Sequence, residues 1–322
     1  MSGARTNARR RVSRRRYQAR RAGALAIVVV VGFGAIRLVS ALTDSGEGKL
    51  AEASGDGSAT IDTPGTAVAP TGVAADTTGA PAPTTPPTEP EPENTGPPSP
   101  DNPATVLIVG DSDAGTFGPY LEQLLDETGM VETVLDYKVS SGLSRPDYFD
   151  WNAELQSKVP EVNPDIVVVT FGGNDAQGLA VPSGEFIVNS PTPDSDNAEW
   201  RTEYGARAGT VMDYLLQDGR TVIWVGIPND DNPDVTFRMQ VQDETVKAEA
   251  AKRPGVRFVD TWRRFAGRNG GWAEFVVDPR DGVGKDVRAD DGFHLNQTGA
   301  EILAIEIAQV VRDDLRTRGA SI

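Results

Sequence analysis

Ser112, Gly142, Asn174, Asp291 and His294 are the residues of this sequence whose types fit acyl-transfer chemistry. Cleaving an ester needs a hydroxyl nucleophile, an imidazole to take its proton, and a group to orient that imidazole. It also needs donors aimed at the oxyanion that develops. Ser112, His294 and Asp291 fill the first three roles. The backbone N–H groups of Ser112 and Gly142, with the side-chain amide of Asn174, supply the donors. His294 is the sole histidine in 322 residues. A lone histidine is as easily structural, and what marks this one is the carboxylate three residues before it and the matching turns elsewhere. One histidine also counts against a zinc hydrolase or a histidine-rich two-metal phosphatase. Without cysteine there is no disulfide, no thiolate metal site and no Cys nucleophile. Asp278, Asp281, Asp286 and Asp290 share one loop, but their spacing does not fit a calcium loop. The sequence therefore calls for no metal and no cofactor.

These residues must be brought together by the elements between them. Thr105-Val-Leu-Ile-Val-Gly-Asp-Ser112 is a β-branched, leucine-rich run that stops at a glycine. With no polar alternation it reads as a strand buried on both faces, as in a parallel sheet covered by helices. A glycine after such a strand lets the chain turn sharply at the carboxyl edge, where open α/β folds place their ligands. Further strands are expected at 133–139, 166–170, 221–226 and 256–260. Helices are expected at 119–128, 146–159, 197–217 and 232–252, the last opened by the cap signal Asn232-Pro233. A final helix is expected after Asn296, with Leu303, Ile307, Val310 and Val311 on one face. The alternation predicts a parallel sheet of about five strands with helices on both sides. Two long polar loops, 177–196 and 266–290, interrupt it, and loops of that length are commonly functional or disordered.

The first hundred residues are of another kind. Residues 1–21 hold nine arginines and no acid, and an apolar run comes next at 22–42, broken only by Arg37. A basic head before such a run stays in the cytoplasm, so the remainder of the chain is expected to be exported. The run serves either as a single-pass signal-anchor in a bacterial cell membrane or as a signal peptide cleaved after Val39-Ser40-Ala41. In the second case the protein is secreted. Residues 43–102 are rich in Pro, Thr, Ala and Gly without apolar periodicity, and are expected to form a disordered tether. Residues 103–322 are then the globular domain, expected to be monomeric. Of 31 bases and 47 acids, eleven bases and ten acids precede residue 103, which leaves the domain near −17. That charge argues against nucleic acid as a partner.

Gly110-Asp111-Ser112, Gly142, Gly172-Gly173-Asn174-Asp175 and Asp291-x-x-His294, in this order, resemble the four blocks of the SGNH (GDSL-type) hydrolases. The resemblance covers the chain from Thr105 onward. It implies a flavodoxin-like three-layer α/β/α fold and serine esterase, lipase or acyltransferase chemistry. By position it makes Ser112 the nucleophile, Gly142 and Asn174 oxyanion donors, His294 the base and Asp291 its partner. With export, it points to O-acyl groups, O-acetyl above all, of envelope glycans or to small esters. The alternative is a non-catalytic glycan-binding or wall-scaffold module that keeps the fold. One departure stands beside the serine, where the family usually has an apolar residue and this chain has Asp113. Such a carboxylate either disfavours anionic substrates or is a solvent-facing turn residue. Residues 141–151 resemble a subgroup of bacterial envelope SGNH proteins. There Arg145, Asp147, Tyr148 and Trp151 come after the oxyanion glycine and either line the cleft or belong to a helix start with Trp151 and Phe149 packed inward.

Overall fold

The computed structural model describes residues 96–322. The expected basic head, the apolar run 22–42 and the tether up to residue 95 lie outside the described residues. Among those described, no helix is long and apolar enough to cross a membrane. Ser99 and Asn102 exchange backbone hydrogen bonds in a tight turn that leads into the first strand.

Five strands form the central sheet: β1 (Ala104–Gly110), β2 (Val131–Tyr137), β3 (Ile166–Thr170), β6 (Thr221–Val225) and β7 (Val256–Val259). They are all parallel, in the order β2-β1-β3-β6-β7. Val106 to Val109 and Ile166 to Val169 are fully buried, because both faces of the sheet are covered. Successive side chains point to opposite faces, and the two cores divide accordingly. Val106, Ile108, Ile166 and Val168 pack with Phe117, Leu121, Ile302 and Ile307. Those residues belong to α1 (Ser112–Asp126) and α6 (Gln297–Thr317). Leu107, Val109, Val167 and Val169 pack instead with Leu155, Tyr204 and Val241. These come from α2 (Trp151–Val162), α3 (Ala198–Leu215) and α4 (Pro233–Ala251). The result is the expected three layers. The chain turns from β2 on one side of β1 to β3 on the other, which puts the topological switch point at the carboxyl ends of β1 and β3.

Three features depart from the sequence reading. Helix α1 begins at Ser112 rather than near Pro119. Gly115, Gly118 and Pro119 read as helix breakers, but packing overrides them. A Cβ at Gly115 would come within 2.5 Å of the Tyr137 ring, and one at Gly118 within 2.7 Å of Leu135. The helix lies against β2 as closely as missing side chains allow. Helix α2 begins at Trp151, not 146, after a turn in which Tyr148 and Phe149 donate their N–H groups to Arg145 O. Its cap is Asp150, whose Oδ1 accepts from Asn152 and Ala153 N–H. The two long loops contain structure of their own. One holds the hairpin β4 (Leu179–Ala180) with β5 (Phe186–Val188). The other holds β8 (Phe275–Val277) with β9 (Gly284–Asp286), and a short helix, α5 (Thr261–Phe265), precedes it. The Asn-Pro start of α4 and the Asn296 cap of α6 are as expected, with Asn232 Oδ1 accepting from Asp234 N–H and Asn296 Oδ1 from Gly299 N–H.

Candidate active site

The site is assembled where β1 and β3 end. Gly110 closes β1 at φ +149°, and a Cβ there would stand 2.1 Å from Thr170 O of β3. Only glycine fits so close an approach. The next residue, Asp111, is fully buried and works as a three-way tie. Its Oδ1 accepts from Asp113 N–H (3.0 Å) and caps α1. Its Oδ2 accepts from Gly172 N–H (2.8 Å) and Asn174 Nδ2 (3.0 Å). One amide hydrogen of Asn174 is thereby fixed, leaving the second as a free donor. Ser112 is the first residue of α1, where a backbone N–H has no partner within the helix.

His294 reaches this point from the segment before α6. Its Nε2 lies 2.9 Å from Ser112 Oγ, and its Nδ1 lies 2.6 Å from Asp291 Oδ2. Asp291 Oδ1 accepts from the N–H groups of Phe293 (3.1 Å) and His294 (2.9 Å). Burial opposes the charge on Asp291, but its bond to His294 and those two backbone donors prevail, holding its pKa down to about 2. An ionised Asp291 must accept from Nδ1–H, which leaves Nε2 as the acceptor for the serine proton. For His294 too burial opposes the charge. The Asp291 hydrogen bond and the negative field of Asp113, Asp291 and Asp111 outweigh it and raise the pKa to about 9.

A second buried carboxylate, Asp175, holds the third turn. Its Oδ1 accepts from Ser144 N–H and its Oδ2 from Leu143 N–H, both at 2.8 Å, and Tyr204 O–H donates to Oδ2 at 2.7 Å. Gln242 Nε2 donates to Tyr204 and to the carbonyls of Phe171 and Gly172. A Cβ at Gly142 would stand 2.0 Å from Asp175 Oδ1, so glycine is required there for closeness rather than for a special φ. The turns that carry Ser112, Gly142 and Asn174 are thus pinned to one another through two buried aspartates. The sequence reading gave neither a role, although both stand within the blocks it singled out.

The four residues expected to line the cleft part company. Trp151 does not belong there: it is 2% exposed. It donates Nε1–H to Ser141 Oγ (2.9 Å) and packs edge-on against Phe149 and Phe171. An amphipathic helix start took it into the core. Tyr148 is exposed. Arg145 is held by a bidentate pair with Asp147 (2.7 and 2.8 Å) and lies over the Phe186 ring of the β4–β5 hairpin. Asp113 is not the solvent-facing turn residue that was one expectation for it. It is buried, with its side chain turned inward against Gly172.

Arg288 carries no signal in the sequence and is the hub of the histidine segment. It is buried, and donates to Asn229 O (2.9 Å), Asn229 Oδ1 (2.7 Å) and Phe293 O (2.9 Å). The loop after β6 is thereby tied to the turn that carries His294. Burial lowers its pKa to about 10, and nearby carboxylates limit the fall. Asp278 is paired with Arg280 and Lys285, and no group of metal-ligating side chains occurs among the described residues.

Solved structures similar to the chain include a GDSL-like lipase from Bacteroides thetaiotaomicron. It is 14% identical, with 65% of this chain and 88% of that one covered at a TM-score of 0.46. The acetylxylan esterase Axe2 from Geobacillus stearothermophilus is 17% identical, with 64% and 93% covered at 0.45. LAE5, an α/β hydrolase from the metagenome of Lake Arreo, Spain, is 16% identical, with 64% and 95% covered at 0.43. No curated protein matches the chain. The model of the family described as "Protein of unknown function (DUF459)" matches residues 105–310, a range that holds all four turns and all but the first residue of β1 and the last turns of α6, and the chain belongs to that family.

Proposed function

We propose that the domain is a serine esterase working through an acyl-Ser112 intermediate. The observation that carries this reading is the relay from Ser112 Oγ to His294 Nε2 at 2.9 Å and from His294 Nδ1 to Asp291 at 2.6 Å. A module that only bound a glycan has no use for all three groups in register. In the forward step Oγ bonds to the ester carbonyl carbon while Nε2 takes its proton. The carbonyl oxygen becomes an oxyanion facing the Ser112 and Gly142 N–H groups and the free amide hydrogen of Asn174. The bond to the leaving oxygen then breaks, and the imidazolium returns the proton to it, releasing the alcohol and leaving acyl-Ser112. Water repeats the sequence on the acyl-serine, giving the acid and free Ser112. A sugar hydroxyl in place of water makes the same intermediate serve O-acyl transfer. The His294 side chain is 33% exposed, so water reaches the base, and this favours hydrolysis.

The basic head, the apolar run and the tether support an extracytoplasmic site of action in a bacterial envelope. O-acyl, chiefly O-acetyl, groups of envelope glycans are the substrates this location favours. Incubation with an activated acyl ester, then mass spectrometry, is expected to find one acyl group on the Ser112 peptide. An unmodified Ser112 beside acylation elsewhere would count against the reading. Asn174→Ala removes one oxyanion donor and is expected to lower kcat by roughly 10²–10³-fold with little change in KM. A change confined to KM would exclude Asn174 from the oxyanion site.

A further inference from the structure

We propose that the loops around the catalytic edge form an apolar rim that seats the domain on the surface of a lipid bilayer. Among the described residues, the large apolar side chains left exposed are not scattered. Val139 and Tyr148 lie between β2 and α2, and Phe186 and Ile187 on the β4–β5 hairpin after β3. Phe275, Val277 and Val283 lie at the β8–β9 hairpin, between β7 and α6. All seven follow the carboxyl end of a sheet strand, the edge at which Ser112 sits, and the described helices and amino-edge loops contribute none. Single exposed apolar residues are ordinary, whereas a group gathered on one edge marks an interaction surface.

The β8–β9 hairpin is the most developed part of the rim. Strand β8 alternates, with Val276 in the core and Phe275 and Val277 59% and 57% exposed on the other face. Val283, also exposed, stands beside them, its carbonyl accepting from Asp278 N–H at 2.9 Å. The charges of this hairpin are used internally. Asp278 pairs with Arg280 and Lys285, Lys285 also with Asp281, and Arg280 also with Glu301 of α6. What the tip offers a partner is therefore apolar surface on a braced frame. That frame is continuous with the site. Val287 N–H donates to Glu274 O, and Trp272 Nε1–H to Gly292 O (2.7 Å), in the turn that carries His294. The other hairpin is joined to the oxyanion turn, where Ala180 N–H donates to Ser144 O (2.9 Å) and Arg145 lies over the Phe186 ring. A surface that met both hairpins would lie across the edge that carries Ser112 and His294.

The chemistry favours a bilayer over a charged polymer or a sugar. Arg280 and Lys285 are already paired, and a domain near −17 repels an anionic polymer. Val139, Ile187, Val277 and Val283 have neither a flat face to stack on a sugar ring nor a side-chain hydrogen bond to give it. The chain itself brings a membrane within range. The apolar run 22–42 is long enough to span one. The 60 residues from 43 to 102, taken as a coil, span roughly 40–45 Å, about the diameter of a domain this size. The consequence for turnover rests on the esterase reading: the ester offered to Ser112 is then carried by a membrane amphiphile, a lipid-linked glycan included. The docking itself does not rest on it.

The full chain has no cysteine, so Val283→Cys takes a single environment-sensitive fluorophore. Lys252→Cys, exposed at the opposite edge where α4 ends, is the control. With phosphatidylcholine vesicles that contain a brominated-chain lipid, emission from position 283 is expected to shift to the blue and to be quenched roughly twofold or more, at low and high salt alike. Position 252 should do neither. Phe275→Thr with Val277→Thr keeps the preference for a strand. It is expected to lose the quenching at 283 and to slow hydrolysis of a long-chain aryl ester carried in vesicles by roughly tenfold, with a soluble aryl acetate turned over as in wild type. No quenching at 283, equal quenching at 252, quenching that salt abolishes, or a double variant slowed equally on both esters overturns the proposal. So does retention on an insoluble glycan, lost in the double variant, in place of the lipid response. If the wild-type protein hydrolyses neither ester, the esterase reading fails, while the quenching still decides the docking.

Discussion

Ser112→Ala is expected to lower kcat for a small aryl acetate by roughly 10⁴–10⁶-fold, the usual cost of losing a triad nucleophile. The fold should be unaffected. Ser112 Oγ bonds only to His294 Nε2, while the fastening of the turn is done by Asp111 and by backbone groups. The variant should therefore match wild type in thermal midpoint and circular dichroism while its turnover approaches background. Near-normal turnover in the purified, folded variant would remove Ser112 from the chemistry. Acyl labelling of wild type then shows whether another hydroxyl carries the acyl group.

Asp291→Asn is expected to cost about 10⁴-fold in kcat, because an amide of the same shape fails to hold the imidazole in the required tautomer. The asparagine Oδ1 still accepts from Phe293 and His294 N–H, so the turn survives. The distinguishing readout is the pH profile. In the native site His294 is raised to about 9, with the Asp291 hydrogen bond the largest favourable cause. A raised pKa means the imidazolium is stabilised, so catalysis that needs neutral imidazole rises with pH through that region. Removing the carboxylate charge lowers the pKa and moves the limb to lower pH. The imidazolium's contribution to stability, full below the unfolded pKa of roughly 6.5 and lost as pH rises through the folded value, should shrink as well. Asp290, one residue earlier, is solvent-exposed, and Asp290→Asn should change neither rate nor limb. If Asp290→Asn alone alters them, the orienting residue has been misassigned. If neither substitution does, Ser112 and His294 act as a dyad.

The sequence by itself determined the sheet and the four turns. Fully apolar runs at β1, β3 and β6 could be satisfied only by burial on both faces, which demands helices on both sides and parallel pairing. The turns of Ser112 and Asn174 sit at the ends of β1 and β3, and that of Gly142 follows the neighbouring β2, so their convergence came from topology. A carboxylate three residues before the only histidine was equally legible. Tertiary structure decided what lies beneath those turns. Helix α1 begins seven residues earlier than its glycines and proline suggest, because the glycines are needed for contact with Tyr137 and Leu135 rather than for a turn. For Trp151 its place after Gly142 left cleft and core equally open, and the helix it opens points it at Phe171. Asp111, Asp113 and Asp175 are short polar residues in turns, a type that sequence rules send to solvent. Their burial comes from the closeness of β1 to β3, and closeness in space depends on strands and loops far apart in the chain. Arg288 shows the same limit: an arginine in an acidic loop reads as surface, until the loop after β6, the end of α5 and the histidine segment close around it and offer it their carbonyls.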